Sequence, residues 1–418
     1  MANILATIIT IGDELLIGQT IDTNSAWIAK HLNLQGIDVQ KRIAVGDTTE
    51  AITNALDEEI PKADIVLLTG GLGPTADDIT KPLLCKYFNG KMVVNEEVLA
   101  HVKDIFTKRN RPFLERNIKQ AEVPDVCKVL FNPMGTAPGM LFEKDGRIII
   151  AMPGVPFEMM AIMETAVLPL FKQRYKSDAI VHRTTMTIGE GESFIAERII
   201  DIEEQLPKHI KLAYLPSLSG VKLRLTGKGS NEQQLIAEVE DWQHKINERL
   251  QHIIIATEDV SLEQVLGNEL RQRGQTISLA ESCTGGYISH LITLVKGSSD
   301  YFKGSVVSYL VEVKENLLGV SSDVIAKDGA VSEQVALQMA EGVRRQLKTD
   351  YSLSITGILD KQHVEGETAT PGTIWVAVCG DGFLKAKQFK VHHDRERNKE
   401  SAATLSMLLL LKAIKGQF

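Results

Sequence analysis

Cysteine is scarce in this chain: four in 418 residues, at positions 85, 127, 283 and 379, with no CxxC or other close pairing. A chain this long does not need disulfides to hold a core, so a reduced, cytoplasmic setting is expected, with Cys85, Cys127 and Cys379 in apolar packing. No apolar run reaches the length needed to cross a bilayer, which argues against a membrane protein. The first residues, Met1 to Ile11, lack a basic region and a cleavage-like site, so no signal peptide is inferred. An excess of positive charge is also missing. The formal net charge is −8, which favours solubility and makes nucleic acid an unlikely partner. No tandem repeat and no low-complexity linker interrupts the chain.

What is present is length and alternation. A chain of 418 residues suggests two or three domains, each able to bury a core. The composition, 44% apolar and 24% charged, is that of a globular protein. Residues 1–170 alternate strand-like runs (Asn3–Ile11, Ile65–Thr69, Ile148–Met152) with helix-like ones such as Asp22–Leu34. That order predicts an α/β domain whose largely parallel sheet is covered on both faces. Residues 171–256 read as a small α+β domain, with exposed-faced strands at Val181–Ile188 and Val221–Thr226 and helices at Phe194–Leu206 and Gln233–Leu250. Residues 257–418 alternate again. Ser261 and Gln264 predict a reciprocal capping box, strands follow at Thr276–Ala280, Gly304–Tyr309, Tyr351–Ile355 and Thr373–Val378, and Arg395–Ile414 reads as a helix. Val335, Met339, Val343 and Leu347 recur every four residues, a helix packing stripe.

In the first domain, "LLTGGLGPTADD" (67–78) ends a buried strand and enters a loop. Gly70, Gly71 and Gly73 let backbone N–H groups approach an anion. Asp77 and Asp78 follow at once, and a carboxylate beside a phosphate implies a divalent cation between them. The plainer reading stays open: a glycine turn followed by an acidic helix start. Asp13, Glu14 and Asp47 also lie beyond strand ends. In "MPGVPFEM" (152–159), Pro153 and Pro156 stiffen a loop in which Gly154 admits a ligand and Glu158 opens the next helix. Such loops are where parallel sheets place ligands.

The stretches "IGDELLIGQTIDTNSAWIA", "VGD", "TGGLGPTADD" and "MPGVPFEM" resemble the domain shared by molybdopterin-binding proteins and the CinA family. The resemblance implies a metal-dependent ADP-ribose pyrophosphatase-like domain, with Gly70, Gly71 and Thr75 in a phosphate pocket. Asp47, Asp77 and Asp78 are then candidate metal or water-positioning acids for a divalent ion. Sister proteins handle a pterin phosphate, so a molybdopterin-type binder is the alternative.

The third domain offers "AESCTGG" (280–286) at a strand-to-helix junction, where free N–H groups at the helix start stabilise an anion. By intrinsic reactivity Cys283 is the first choice of nucleophile, while Ser282 needs a base. No histidine lies in the nearby strands. Lys314 is a base only if uncharged; Tyr309 is placed to relay a proton, Thr356 to donate to a carbonyl or to Ser282, and Arg395 to bind phosphate. Read from the residues alone, Tyr309 and Lys314 are more often a packed tyrosine and a solvent lysine.

"AESCTGG", "GSSDYFKGSVVSY", "LLGV", "GAVSE", "DYSLSITGI" and "PGTIWVAV" resemble the CinA C-terminal domain, a family of nicotinamide mononucleotide deamidases. The resemblance implies hydrolysis of the carboxamide to nicotinate mononucleotide and ammonia, without a cofactor. Ser282 is the implied nucleophile, activated by Lys314 and Tyr309, with Thr356 assisting and Arg395 reading the phosphate. Cys283 becomes a small neighbour whose N–H faces the oxyanion, and Gly285 and Gly286 join the candidate ligand contacts. The chain departs from the family at 359–372, where a glycine-rich loop ending in Lys-Pro-Val-Gly gives way to "LDKQHVEGETATPG". Asp360, Lys361 and His363 are expected to reshape that rim, and His393 stands where the family prefers glycine. A metal at His392, His393 and Asp394 is disfavoured because adjacent side chains rarely converge. The middle domain carries Lys222, Arg224 and Lys228 and resembles a KH-type module, but its Gly-Glu-Gly-Glu turn at 189–192 is acidic, which suits a spacer better than an RNA reader. The expected partners are small-molecule nucleotides and a second copy of the chain. A competence-related scaffold is the remaining alternative.

Overall fold

The structure is a computed structural model that describes residues 4–75, 78–175, 178–217, 220–360 and 369–417. The chain packs as two compact units, Met1–His182 with Thr226–Val239, and Arg183–Leu225 with Glu240–Phe418.

The first unit is built on a six-stranded sheet. Four strands run parallel, in the spatial order Asp38–Val45, Leu5–Ile11, Ile65–Thr69 and Arg147–Met152. Their side chains alternate between two separate cores. Ile8, Ile65, Leu67, Ile148 and Ile150 lie in one, with Ile28 and Leu32 of the helix Thr23–Leu34. Ile9, Val66, Leu68 and Ile149 lie in the other, with Ile52 and Leu56 of the helix Thr49–Glu59. A strand apolar at every position is buried on both faces, as a sheet coated by helices requires. The helix Thr23–Leu34 begins where it does because Asp22 accepts the Ser25 N–H at 2.9 Å, a side-chain N-cap.

The sheet is less parallel than its sequence suggests. Gly139–Lys144 pairs antiparallel with Arg147–Met152, and Lys128–Leu130 extends it. The signal was the Asp145-Gly146 dipeptide, both residues at positive φ, which is the chemistry of a two-residue hairpin turn. A second Asp-Gly dipeptide, with only its glycine at positive φ, adds a strand at the other end of the chain, where Gly380 pairs with Phe383 across Asp381-Gly382 and Phe383–Lys390 follows.

The middle segment forms a four-stranded sheet, in the order Ile210–Ser217, Gly220–Gly229, Ala179–Thr187, Ile254–Ala256, with helices Glu192–Glu203 and Glu232–Leu250. Its acidic turn is tied to its own helix: Arg198 donates twice to Glu190, each at 2.8 Å.

The C-terminal sheet has five strands, in the order Phe302–Val307, Ile277–Glu281, Tyr351–Gly357, Thr373–Gly380, Phe383–Lys390. The first three are parallel, so their carboxyl ends share one edge. On one face Leu279, Leu353, Ile355 and Val376 pack with helices Leu262–Arg273 and Arg395–Ile414. On the other, Ser352 and Ser354 donate to the Ala340 and Ala336 carbonyls of the helix Glu333–Leu347 at 2.6 and 2.5 Å. Small residues let that helix lie close, and its Val335, Met339 and Val343 are fully buried. The expected capping box at Ser261 is half formed: Ser261 accepts the Gln264 N–H, but the Gln264 amide donates to Asn268 at 2.9 Å instead of reaching back.

Candidate active site

Three parallel strands deliver the residues of the C-terminal cleft. Ser282 follows Ile277–Glu281, Thr356 lies near the end of Tyr351–Gly357, and Ser308 and Tyr309 follow Phe302–Val307. Ser282, Tyr309 and Thr356, together with Cys283, Lys314, Asp360 and Arg395, line a cavity of about 260 Å³.

At its floor, Lys314 Nζ lies 3.0 Å from Ser282 Oγ. The same nitrogen donates to the carbonyls of Ser308 at 2.7 Å and Tyr309 at 3.3 Å. Lys314 is 2% exposed, a rare state for a lysine. An amine has room for two N–H donors and one lone pair. Two carbonyls and the serine hydroxyl surround the nitrogen: an ammonium donates to all three, while an uncharged amine donates to the carbonyls and turns its lone pair to the serine. The lysine rides on the helix Val311–Leu318, whose last carbonyl meets a gap made by Gly342. A Cβ at Gly342 would sit 2.0 Å from Leu318 O, so the two helices approach through that glycine.

Cys283 is a poor competitor for the role of nucleophile. Burial pushes its thiol up to about 12, outweighing the pull of nearby Lys314 and Arg395, and the thiolate is the reactive form. The residue lines the cleft, and its own backbone N–H draws the sulfur, the largest of the influences that oppose the effect of burial.

The expectation of free N–H groups at the start of the helix Tyr287–Leu294 is corrected by a residue that sequence reasoning passed over. Glu281 is 1% exposed, and its carboxylate accepts from the N–H groups of Gly286, Ile288 and Ser289 and from the hydroxyls of Thr284 and Ser289, at 2.6–3.1 Å. The helix N-terminus already holds its anion, an internal one. Gly285 donates to Ser282 O, and neither Gly285 nor Gly286 lines the cavity. Their contribution is a turn with both residues at positive φ that presents Ser282. An acid beside a nucleophile was the available signal, since a buried carboxylate needs several donors.

Two further roles change. Thr356 gives its hydroxyl proton to Ala330 O at 2.9 Å, so toward the cavity it offers lone pairs, not a donor. Tyr309 is 58% exposed; its carbonyl holds Lys314 while its phenol accepts from Arg395 at 3.2 Å. Arg395 opens the last helix and forms an ion pair with Asp360. Asn398, 1% exposed, ties these two segments together by donating to Leu359 O and His393 O at 2.7 and 2.9 Å. His393 does not line the cavity, and Lys361 and His363 lie outside the described residues.

In the first unit a second cleft brings together Gly70, Gly71, Gly73, Asp47, Asp78, Gly154, Glu158 and Glu14. Glycine is required here by crowding: a Cβ on Gly71 would lie 2.2 Å from Thr80 Oγ1, and one on Gly70 2.3 Å from Ile11 O. The N–H groups of Gly71, Leu72 and Gly73 make no hydrogen bond among the described residues, whereas the Gly70 N–H is taken by Met152 O. Asn24 steadies the facing loop by donating to Gly154 O at 2.7 Å. Glu158 accepts from Asn132 at 2.7 Å, and burial holds its carboxyl above the ordinary range. Thr75 does not line this cleft; its N–H and hydroxyl cap Asp78.

A divalent ion needs several oxygens converging on one point. Among the described residues no three acids, histidines or cysteines are so grouped. Asp47 accepts the Asp13 N–H at 3.0 Å, Asp78 holds Thr75, and Asp77 lies outside the described residues. Of the three expected acids, only Asp47 and Asp78 are described, and each is engaged with a neighbouring loop.

Among the described residues no helix is long and apolar enough to cross a membrane. Compared with known families, residues 7–173 match a probable molybdopterin binding domain, residues 182–256 the damage-inducible protein CinA KH domain, and residues 259–414 the CinA C-terminal domain. A CinA-like protein from Flavobacterium psychrophilum is 44% identical over 411 residues, 98% of each chain. A CinA-like protein from Cytophaga hutchinsonii is 41% identical over 99% of each chain. Among solved structures, the protein CinA from Thermoplasma acidophilum is 32% identical and aligns with 41% of this chain and 98% of its own, with a TM-score of 0.36. Identity of this extent, along the whole length and through all three matched segments, makes the chain a member of the CinA family.

Proposed function

We propose that the C-terminal cleft hydrolyses the carboxamide of a pyridine nucleotide, converting nicotinamide mononucleotide to nicotinate mononucleotide and ammonia. The observation that carries this reading is the 3.0 Å contact between Lys314 Nζ and Ser282 Oγ, with the amine buried and its other positions on carbonyls. Ser282 Oγ attacks the carboxamide carbon while its proton passes to Lys314. The oxygen that gains charge faces the Cys283 N–H. Lys314 returns the proton to the departing nitrogen, ammonia leaves, and an ester joins the acyl group to Ser282. Water, deprotonated by the same amine, then releases the acid. Thr356, with lone pairs toward the cavity, accepts from the amide N–H₂ and so distinguishes a carboxamide from a carboxylate. Ammonia release from nicotinamide mononucleotide by the full chain tests this, with Ser282→Ala as control; equal release from both would sink it.

For the first cleft, we propose a phosphate-bearing ligand cradled by the Gly71, Leu72 and Gly73 N–H groups, with the pyrophosphate of ADP-ribose as its hydrolysable form. The divalent ion of that reading would draw ligands from the substrate's phosphates as well as from Asp47 and Asp78. Cleavage of ADP-ribose that is unaffected by a chelator would remove the ion, and absence of cleavage would leave binding alone.

A further inference from the structure

The cation at the mouth of the C-terminal cleft is already paired. Arg395 lines the cavity, and its guanidinium meets the Asp360 carboxylate through one nitrogen and the Tyr309 phenol through another. Asp360 lines the same cavity. The surroundings add little spare positive charge: Asp394 caps the last helix, and Glu396 and Glu400 flank Arg395 and Lys399 in the adjoining groove. A guanidinium recognises a phosphate with the same forked donors that it offers a carboxylate. A phosphate at this place must therefore displace Asp360 or accept a neighbouring negative charge.

We propose that Asp360 is a specificity-determining residue that weakens recognition of a phosphomonoester by Arg395, so that this cleft favours ribosyl carboxamides with no phosphate more than an unpaired arginine would. The proposal rests on the reading of the cleft as a carboxamide hydrolase, and it deepens that reading by setting the substrate class. Asn398 bonds the backbone ahead of both Asp360 and Arg395, so the fold holds the two segments beside each other. Both side chains are about half exposed, at 48% and 47%, and the effect is accordingly modest.

The test uses ribose 5-phosphate, which has no carboxamide to hydrolyse, titrated calorimetrically into the full chain and its Asp360→Asn and Arg395→Ala variants. Asp360→Asn is expected to bind about fivefold more tightly than the unaltered chain, as removal of one partly screened charge implies, with the gap narrowing as salt rises. Arg395→Ala is expected to lose binding. Equal affinities, weaker binding by Asp360→Asn, or no binding by either chain would overturn the proposal. Circular dichroism confirms that the surface variants fold. A parallel comparison of ammonia release from nicotinamide riboside and nicotinamide mononucleotide separates the two ideas. If neither releases ammonia yet Asp360→Asn tightens phosphate binding, the hydrolase reading fails while the role of Asp360 toward phosphate stands. If ammonia is released and the variant leaves the preference between the two substrates unchanged, the specificity role fails alone.

Discussion

The C-terminal cleft is made of side chains, and the cleft of the first unit is made of backbone. In the former, a lysine, a serine, a threonine and a glutamate are all buried, and each has named partners. In the latter, glycines expose consecutive N–H groups, while the carboxylates around them are engaged with their own loops. A buried side-chain constellation is organised before any ligand arrives, because every polar group left unpaired inside would be costly. A backbone cradle needs only space and φ freedom. The first arrangement suits bond-making and the second suits holding an anion.

That contrast can be broken most sharply at Lys314. Lys314→Met is expected to lower ammonia release by about 10³-fold or more, as loss of an activating base does, with the fold verified by circular dichroism. Persistence of activity within tenfold would show that the side-chain cleft is not catalytic in this way. On the backbone side, Gly71→Ala places a Cβ 2.2 Å from Thr80 Oγ1 at a φ of +65°. It is expected to abolish phosphate binding in the first cleft and to cost about 1–3 kcal/mol in urea unfolding, without altering Ser282 chemistry. If ammonia release falls with it, the two clefts are not separable.

A smaller effect comes from Glu158. Its carboxyl is held above the ordinary range by burial, opposed by its bond from Asn132. As pH falls through that raised value the group gains a proton and loses its negative charge. Binding of inorganic phosphate beside it is expected to strengthen a few-fold, measured by titration at stepped pH. Asp47, Asp78 and Glu14 also face the cleft, so Glu158→Gln should remove only the upper part of the profile. The smallest effect is expected at Cys283. With the thiol raised to about 12, iodoacetamide at pH 8 should leave ammonia release unchanged, whereas rapid inactivation would mean that the thiol is accessible and ionised.

Much of this molecule was readable before its coordinates. Strands alternating with helical runs announced a sheet covered on both faces; Ser282 and Thr356 were singled out by their places at strand ends, Lys314 by its place near a helix start, and all three by family resemblance. What was not readable depends on distance along the chain and on which part of a residue is used. Asp360 and Arg395 are thirty-five positions apart, and no local pattern pairs them. Tyr309 was marked for its hydroxyl but touches Lys314 through its carbonyl, and sequence is silent on which end of a residue turns inward. Glu281 looked like part of a turn, since its five donors come from residues whose positions only the folded helix start defines. The two antiparallel strands beside Asp-Gly dipeptides, Gly139–Lys144 before one and Phe383–Lys390 after the other, were legible and were missed, because alternation was weighed above turn chemistry.

The gap at Gly342 ties the fate of the amine to a helix that touches no substrate. Any residue with a side chain there must push the carbonyl end of Lys314's helix outward, because Leu318 O occupies the space. Tolerance to change is therefore narrowest at a site with no chemistry of its own. A library of variants selected for turnover would be depleted at position 342 as severely as at the serine, and an inhibitor that wedged these two helices apart would act from behind the cavity without competing for it.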